Sequence, residues 1–185
     1  MRKNFGKKPW LLPQPVLLIA TYNEDETPDV MNAAWGGMYD ADQIMICLSQ
    51  DHRTTENIKR THAFTLQFAD QKHVIEADYA GIVSMNQDPD KFQKTGFQFE
   101  PSEFVNAPLL TTFPIHMECE LNKFNEDGIL IGNIINVSID SSLLDPDGNV
   151  CTDTYHPIVF DPIKNVYRCV KEVCGHAFQD GLKRK

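Results

Sequence analysis

The order of apolar runs along this 185-residue chain constrains its fold more than any other feature. Short runs with strand character fill the first third, helical stretches follow, and strand-like runs return from about residue 113. Strand and helix do not alternate in the rhythm that a doubly wound parallel sheet needs. A mainly β architecture, an antiparallel barrel with short helices inserted, accommodates the order. Residues 16–22 read as a buried strand, 23–28 as a polar turn, and 29–35 as the returning arm of a hairpin that Gly36 and Gly37 end. Residues 44–48 make a third strand and 51–60 a short helix, with Asp51 or Thr54 as its N-cap. A strand over 63–68 comes next. The spacing over 72–83 predicts a helix with Val74, Ile75, Tyr79 and Ile82 on one side, and Pro89 opens a second short helix. Strands are expected over 115–121, 129–139, 158–160 and 166–170.

Length sets a single domain over residues 1–185. Its longest apolar stretch suits one strand and falls far short of a membrane helix. The first eight residues are basic, but Pro13 and Pro15 break the apolar run behind them, so no secretory signal is read and a cytoplasmic address is expected. A net charge of −9 without a lysine/arginine stripe argues against nucleic acid as a partner. Cysteines stand at 47, 119, 151, 169 and 174, an odd set without a CxxC pair. Neither a disulfide framework nor a zinc site is expected, and Cys47 and Cys119 read as small buried hydrophobes. The acidic turn at 145–149 is not a calcium loop, because Val150 and His156 stand where glycine and a bidentate glutamate are needed.

Three stretches offer chemistry. Met31 to Gly37 places Asn32, able to donate and accept, beside Ala33, Ala34, Trp35 and two glycines. Such small residues let a flat ligand approach the backbone, though they equally suit a tight strand end. Residues 49–57 carry a strand into a helix start that holds Ser49, Gln50, Arg53, Thr54 and Thr55. Free N–H groups and the helix dipole favour an anion there, with the Arg53 guanidinium matching phosphate. Ordinary capping explains the same residues, and spacing does not choose between the two. No Walker A loop is present, so a nucleoside triphosphate is not inferred. Residues 81–92 form a helix–loop–helix with Lys91, which alone reads as a solvated surface. No histidine sits in a nucleophile motif, and no catalytic residue is assigned.

Taken together, the stretches 15–22, 29–37, 52–58, and 76–84 with 90–92 resemble, in order, the flavin reductase-like FMN-binding split barrels, most closely the flavoredoxin type. Weaker echoes lie at 157–162 and 175–178. The resemblance implies a Greek-key split barrel and a homodimer with FMN near the subunit interface. On matching positions Asn32, Ala33, Ala34 and Trp35 would line the flavin ring. Ser49 and Gln50 would reach its polar edge or the ribityl chain. Arg53, Thr54 and Thr55 would hold the phosphate, and Lys91 and Phe160 would be further contacts. Electrons would pass through FMN from NAD(P)H or from a redox protein. Many reductases of this family carry a histidine and a glutamate in the late long strand, where this chain has Gly128 and Asn133. That departure favours the alternative, an electron carrier without its own nicotinamide site.

Overall fold

The computed structural model describes residues 1–184. A short β1 (Gln14–Pro15) precedes the hairpin of β2 (Leu17–Tyr22) and β3 (Pro28–Ala33). After two residues β4 (Gly36–Asp40) begins, and it pairs with β5 (Gln43–Cys47). Helix α1 (Arg53–Thr61), β6 (Ala63–Phe68), α2 (Val74–Ile82) and α3 (Lys91–Thr95) follow. Two-residue strands β7 (Glu100–Pro101) and β8 (Pro108–Leu109) pair with each other before the long hairpin of β9 (Ile115–Phe124) and β10 (Ile129–Ile139). Last come β11 (Ile158–Asp161) and β12 (Val166–Cys169), which join β1 in a small separate sheet.

Seven strands form one antiparallel sheet in the order β3-β2-β6-β9-β10-β5-β4. Its two edges, β3 and β4, are joined only through Ala34 and Trp35. Laid flat, seven strands would separate the edges by about 29 Å. Three residue steps reach about 11 Å at most. The sheet therefore curls until its edges approach each other, giving a Greek-key split barrel. Gly36 permits the closure: a Cβ there would lie 2.8 Å from Leu17 Cδ1 and 3.0 Å from Met45 O. The two glycines expected to end the hairpin thus start the next strand, because the sheet closes on a residue without a side chain.

Strand β2 is apolar throughout because both its faces are covered. Leu17 and Ile19 point into the barrel with Ile46, Phe64, Leu66 and Leu130. Val16 and β2 residues Leu18 and Ala20 meet α2, Phe92 and Phe113 on the outside. Helix α2 packs differently from its spacing. Its buried residues are Ala77 and Ala80, whereas Ile75 is 79% and Ile82 74% exposed. The helix lies too close to β3 for larger side chains: a Cβ on Gly81 would approach Asn32 Cβ to 3.2 Å. All five cysteines are free among the described residues, with Cys119 buried and Cys47 half-buried. Among the same residues no helix is long and apolar enough to cross a membrane.

Candidate functional site

Helix α1 starts just past the end of β5. Its N-cap is His52, in place of the expected Asp51 or Thr54, and the His52 side chain makes no capping bond among the described residues. The first intrahelical bond runs from Glu56 N to His52 O at 3.1 Å. The N–H groups of Arg53, Thr54 and Thr55 precede it, so no helix carbonyl is placed to receive them. Both threonine hydroxyls are committed to the protein. Thr54 Oγ1 donates to Asp29 Oδ2 at 2.5 Å, and Thr55 Oγ1 to the Ser49 carbonyl at 2.7 Å. These bonds pin the helix start to β3 and to the end of β5, and they explain why Thr54 does not cap. What the threonines offer an anion is their backbone N–H, reinforced by the helix dipole.

That helix start opens on a cavity of about 200 Å³. Arg53, Thr54 and Lys91 line it, together with Asp29, His52 and the segment from Ala80 to Met85. Arg53 is 40% exposed and pairs with exposed Glu56 at 3.5 Å, a contact that restrains the guanidinium little. Lys91, in the first turn of α3, is only 3% exposed. Burial pushes its ammonium below the usual lysine range, opposed by the charge of Asp29. Asp29 is 1% exposed. Burial raises its carboxyl, opposed by the Thr54 hydroxyl and then by Lys91. Asp29 Oδ1 and His52 Nδ1 are buried without a hydrogen-bond partner among the described residues.

A second cavity, of about 640 Å³, lies at the rim where the barrel closes. Ala34, Trp35, Gly36, Gly37, Met45 and Cys47 form one wall, and the N-terminal segment with Trp10, Leu11 and Pro13 the other. Strand β3 connects the two sites. Met31 lines the first and Ala34 the second, about 10 Å apart along extended chain. Asn32 stands between them, its Nδ2 donating to the Ala77 carbonyl at 3.0 Å. The Tyr167 hydroxyl donates to Asp78 Oδ1, on the same helix as Ala77, at 2.7 Å.

The remaining predicted residues sit elsewhere. Ala33 packs in the barrel core. Ser49 contributes its carbonyl to Thr55, and its side chain is exposed. Gln50 turns toward the β9–β10 connection, accepting from Lys59 Nζ at 2.7 Å and donating to Glu126 O at 3.2 Å. Phe160 packs against Tyr167 with ring centroids 6.0 Å apart. The structure adds Asp29, His52, Tyr167 and the N-terminal segment. Only Asp29 had a visible sign, an acid inside a strand otherwise meant for burial. A separate polar cavity of about 760 Å³, between the Asp70–His73 turn and residues 154–156, contains none of the predicted residues.

The curled seven-stranded sheet with helices against one edge is the architecture of the split-barrel flavin reductases. The flavin reductase like domain family matches residues 10–159, and the chain belongs to it. It is similar to the flavoredoxin of Desulfovibrio vulgaris (Miyazaki F), with 34% identity, a TM-score of 0.91, and coverage of 98% of this chain and 100% of that one. It also resembles the flavoredoxin from Methanosarcina acetivorans, at 20% identity and TM-score 0.87 over 100% of both chains. A third likeness is to an FMN-binding protein from Thermus thermophilus with bound 1-cyclohex-2-enone, at 18% identity and TM-score 0.76, covering 95% and 99%.

Proposed function

We propose that this protein binds FMN and passes electrons through it. The observation that carries the reading is a pair of cavities linked by strand β3. A cationic helix start and a buried lysine line one, and Trp35 lines the other, which is wide and mostly apolar. This donor set fits a phosphate monoester. Arg53 and Thr54, in the first turn of α1, line the first cavity together with Lys91, and charge-assisted donors of this kind suit phosphate. Asn32 and the small-residue rim fit a flat ring with donors and acceptors along its edge. Bound FMN would supply the electron-transfer chemistry, while the chain's own residues hold the phosphate, orient the ring and shield it from water. Membership of the flavin reductase family supports the reading, as does the likeness to the FMN-binding protein from Thermus thermophilus.

Two further parts belong to the proposal. The working unit is a homodimer, a reading supported by the exposed Trp35, Met38 and Tyr39 at and just before edge strand β4, and its address is the cytoplasm. The electron donor is NAD(P)H or a redox protein. One observation favours a carrier fed by a protein: Gly128 has φ +82°, and a Cβ on it would meet Leu48 O at 2.5 Å. A histidine at that position would be strained by the backbone and crowd the Leu48 carbonyl. The test is an absorbance spectrum of the purified protein, before and after FMN and then NADH or NADPH. A flavin band that bleaches on nicotinamide addition supports a reductase. A band that persists supports the carrier. No band with added FMN would refute the cofactor assignment.

A further inference from the structure

In the phosphate-binding cavity proposed above, one wall is an acid. Asp29 is 1% exposed and lines the same space as Arg53 and Lys91. Its Oδ2 is taken by the Thr54 hydroxyl, while Oδ1 is buried with no hydrogen-bond partner among the described residues. A carboxylate oxygen left bare beside two cations would repel a phosphate dianion brought into the same desolvated space. It would also forfeit a hydrogen bond that a buried oxygen needs. One proton removes both problems. From this geometry, and resting on the phosphate reading of the cavity, we infer that Asp29 is a further binding residue, and that its Oδ1 and a phosphate oxygen share a single proton in one O–H···O hydrogen bond.

The proton count follows. A phosphate monoester is largely dianionic above about pH 7, since its second pKa is near 6. Where Asp29 is also ionised beforehand, the shared proton comes from solvent and is taken up on binding. Affinity then falls as pH rises, approaching tenfold per unit for one linked proton. The other charged groups facing Asp29 are Lys91 from α3 and Arg53 from α1, with the unpartnered His52 Nδ1 lining the same cavity. Uptake at Lys91 or His52 would give the same sign, so the assignment needs a variant. Asp29→Asn keeps an oxygen for Thr54 and presents an N–H to the phosphate without any proton being recruited.

The experiment is calorimetric titration of the flavin-free protein with FMN, and separately with riboflavin, from pH 7 to 9.5 in buffers of differing ionisation enthalpy. For the wild type we expect FMN binding with proton uptake rising toward one and affinity declining with pH, and riboflavin binding with no such uptake. For Asp29→Asn we expect FMN to bind without the uptake, and about tenfold or more tightly than wild type at pH 9. FMN bound by wild type without proton uptake even at pH 9.5 overturns the inference and leaves the cofactor reading standing. So does uptake that persists in Asp29→Asn, which assigns the proton to Lys91 or His52. Should the variant not fold, His52→Gln and Lys91→Met decide: uptake that survives both supports the inference, and uptake lost in either assigns the proton there and overturns it. A protein that binds neither flavin overturns the cofactor reading and this inference with it.

Discussion

Gly36 rests against Leu17 where the two edges of the sheet meet, so closely that a Cβ on Gly36 would stand 2.8 Å from Leu17 Cδ1. Leu17 is fully buried in the barrel core and Met45 O limits the other side at 3.0 Å. Gly36→Ala is therefore expected to cost about 1–3 kcal/mol, the usual range for overpacking. Urea unfolding monitored by tryptophan fluorescence measures it. An unchanged midpoint would mean that the closure has slack.

Arg53 contributes charge to the site and little to the fold, since it is 40% exposed with one weak partner in Glu56. Arg53→Ala should weaken FMN binding roughly tenfold or more, about 1.5–3 kcal/mol for a lost charge-assisted contact, with an unfolding midpoint close to wild type. Fluorescence titration with FMN checks the first and thermal unfolding the second. Unaltered affinity would remove the guanidinium from the site.

Gly128 occupies a turn that no other residue fits comfortably, with φ +82° and Leu48 O 2.5 Å from its would-be Cβ. The turn also anchors Leu48, whose N–H donates to Gly128 O at 2.8 Å. Gly128→His should destabilise by on the order of 2 kcal/mol or more, and it should add no NADH or NADPH oxidation. Steady-state nicotinamide absorbance and a denaturant curve test the two parts together.

Tyr167 holds its proton tightly. Burial, and then the hydrogen bond it donates to Asp78, push its phenol up to about 12. The folded value lies above the ordinary value near 10. The stabilisation is therefore complete below about pH 10 and is lost as pH rises through about 12. Tyr167→Phe should be less stable at neutral pH by about 1 kcal/mol for the lost bond, and its stability should fall less steeply between pH 10 and 12. Parallel urea curves across that range decide it.

The thiols should separate by burial. Cys119 lies wholly inside the barrel and its thiol is pushed up to about 12 by burial, whereas Cys174 is exposed. The thiolate is the reactive form. A thiol reagent at pH 8 should modify Cys174 within the first phase and reach Cys119 only on unfolding, as peptide mapping by mass spectrometry would read. Early labelling of Cys119 would show that the barrel opens.

The main strands, and a helix directly after β5, were legible in the sequence because their signals are local. The long β-branched run read as 129–139 is β10 to the residue. The burial of Val16 to Ala20 on both faces was equally plain from its unbroken apolar character. Helix α2 was legible as a helix, but of the apolar side its spacing marks, Val74 packs against the core while Ile75 and Ile82 are exposed. Periodicity ranks side chains by hydrophobicity, and here the closeness of β3 admits only Ala77 and Ala80. Gly36 and Gly37 look like punctuation for the same reason: nothing nearby in sequence announces that Leu17 will lie beneath them.

Taken alone, the sequence determined the strand-rich order, the family and a cluster of anion-seeking residues around Arg53. Each of these depends on residue types within a few positions of one another or on their order along the chain. Only the tertiary structure decided that Asp29 and Lys91 share a buried cavity with that helix start, that Gln50 turns away from it, and that the sheet curls shut across Ala34 and Trp35. Those outcomes rest on contacts between segments tens of residues apart. Close packing of backbone and side chain sets them, and no local pattern encodes it.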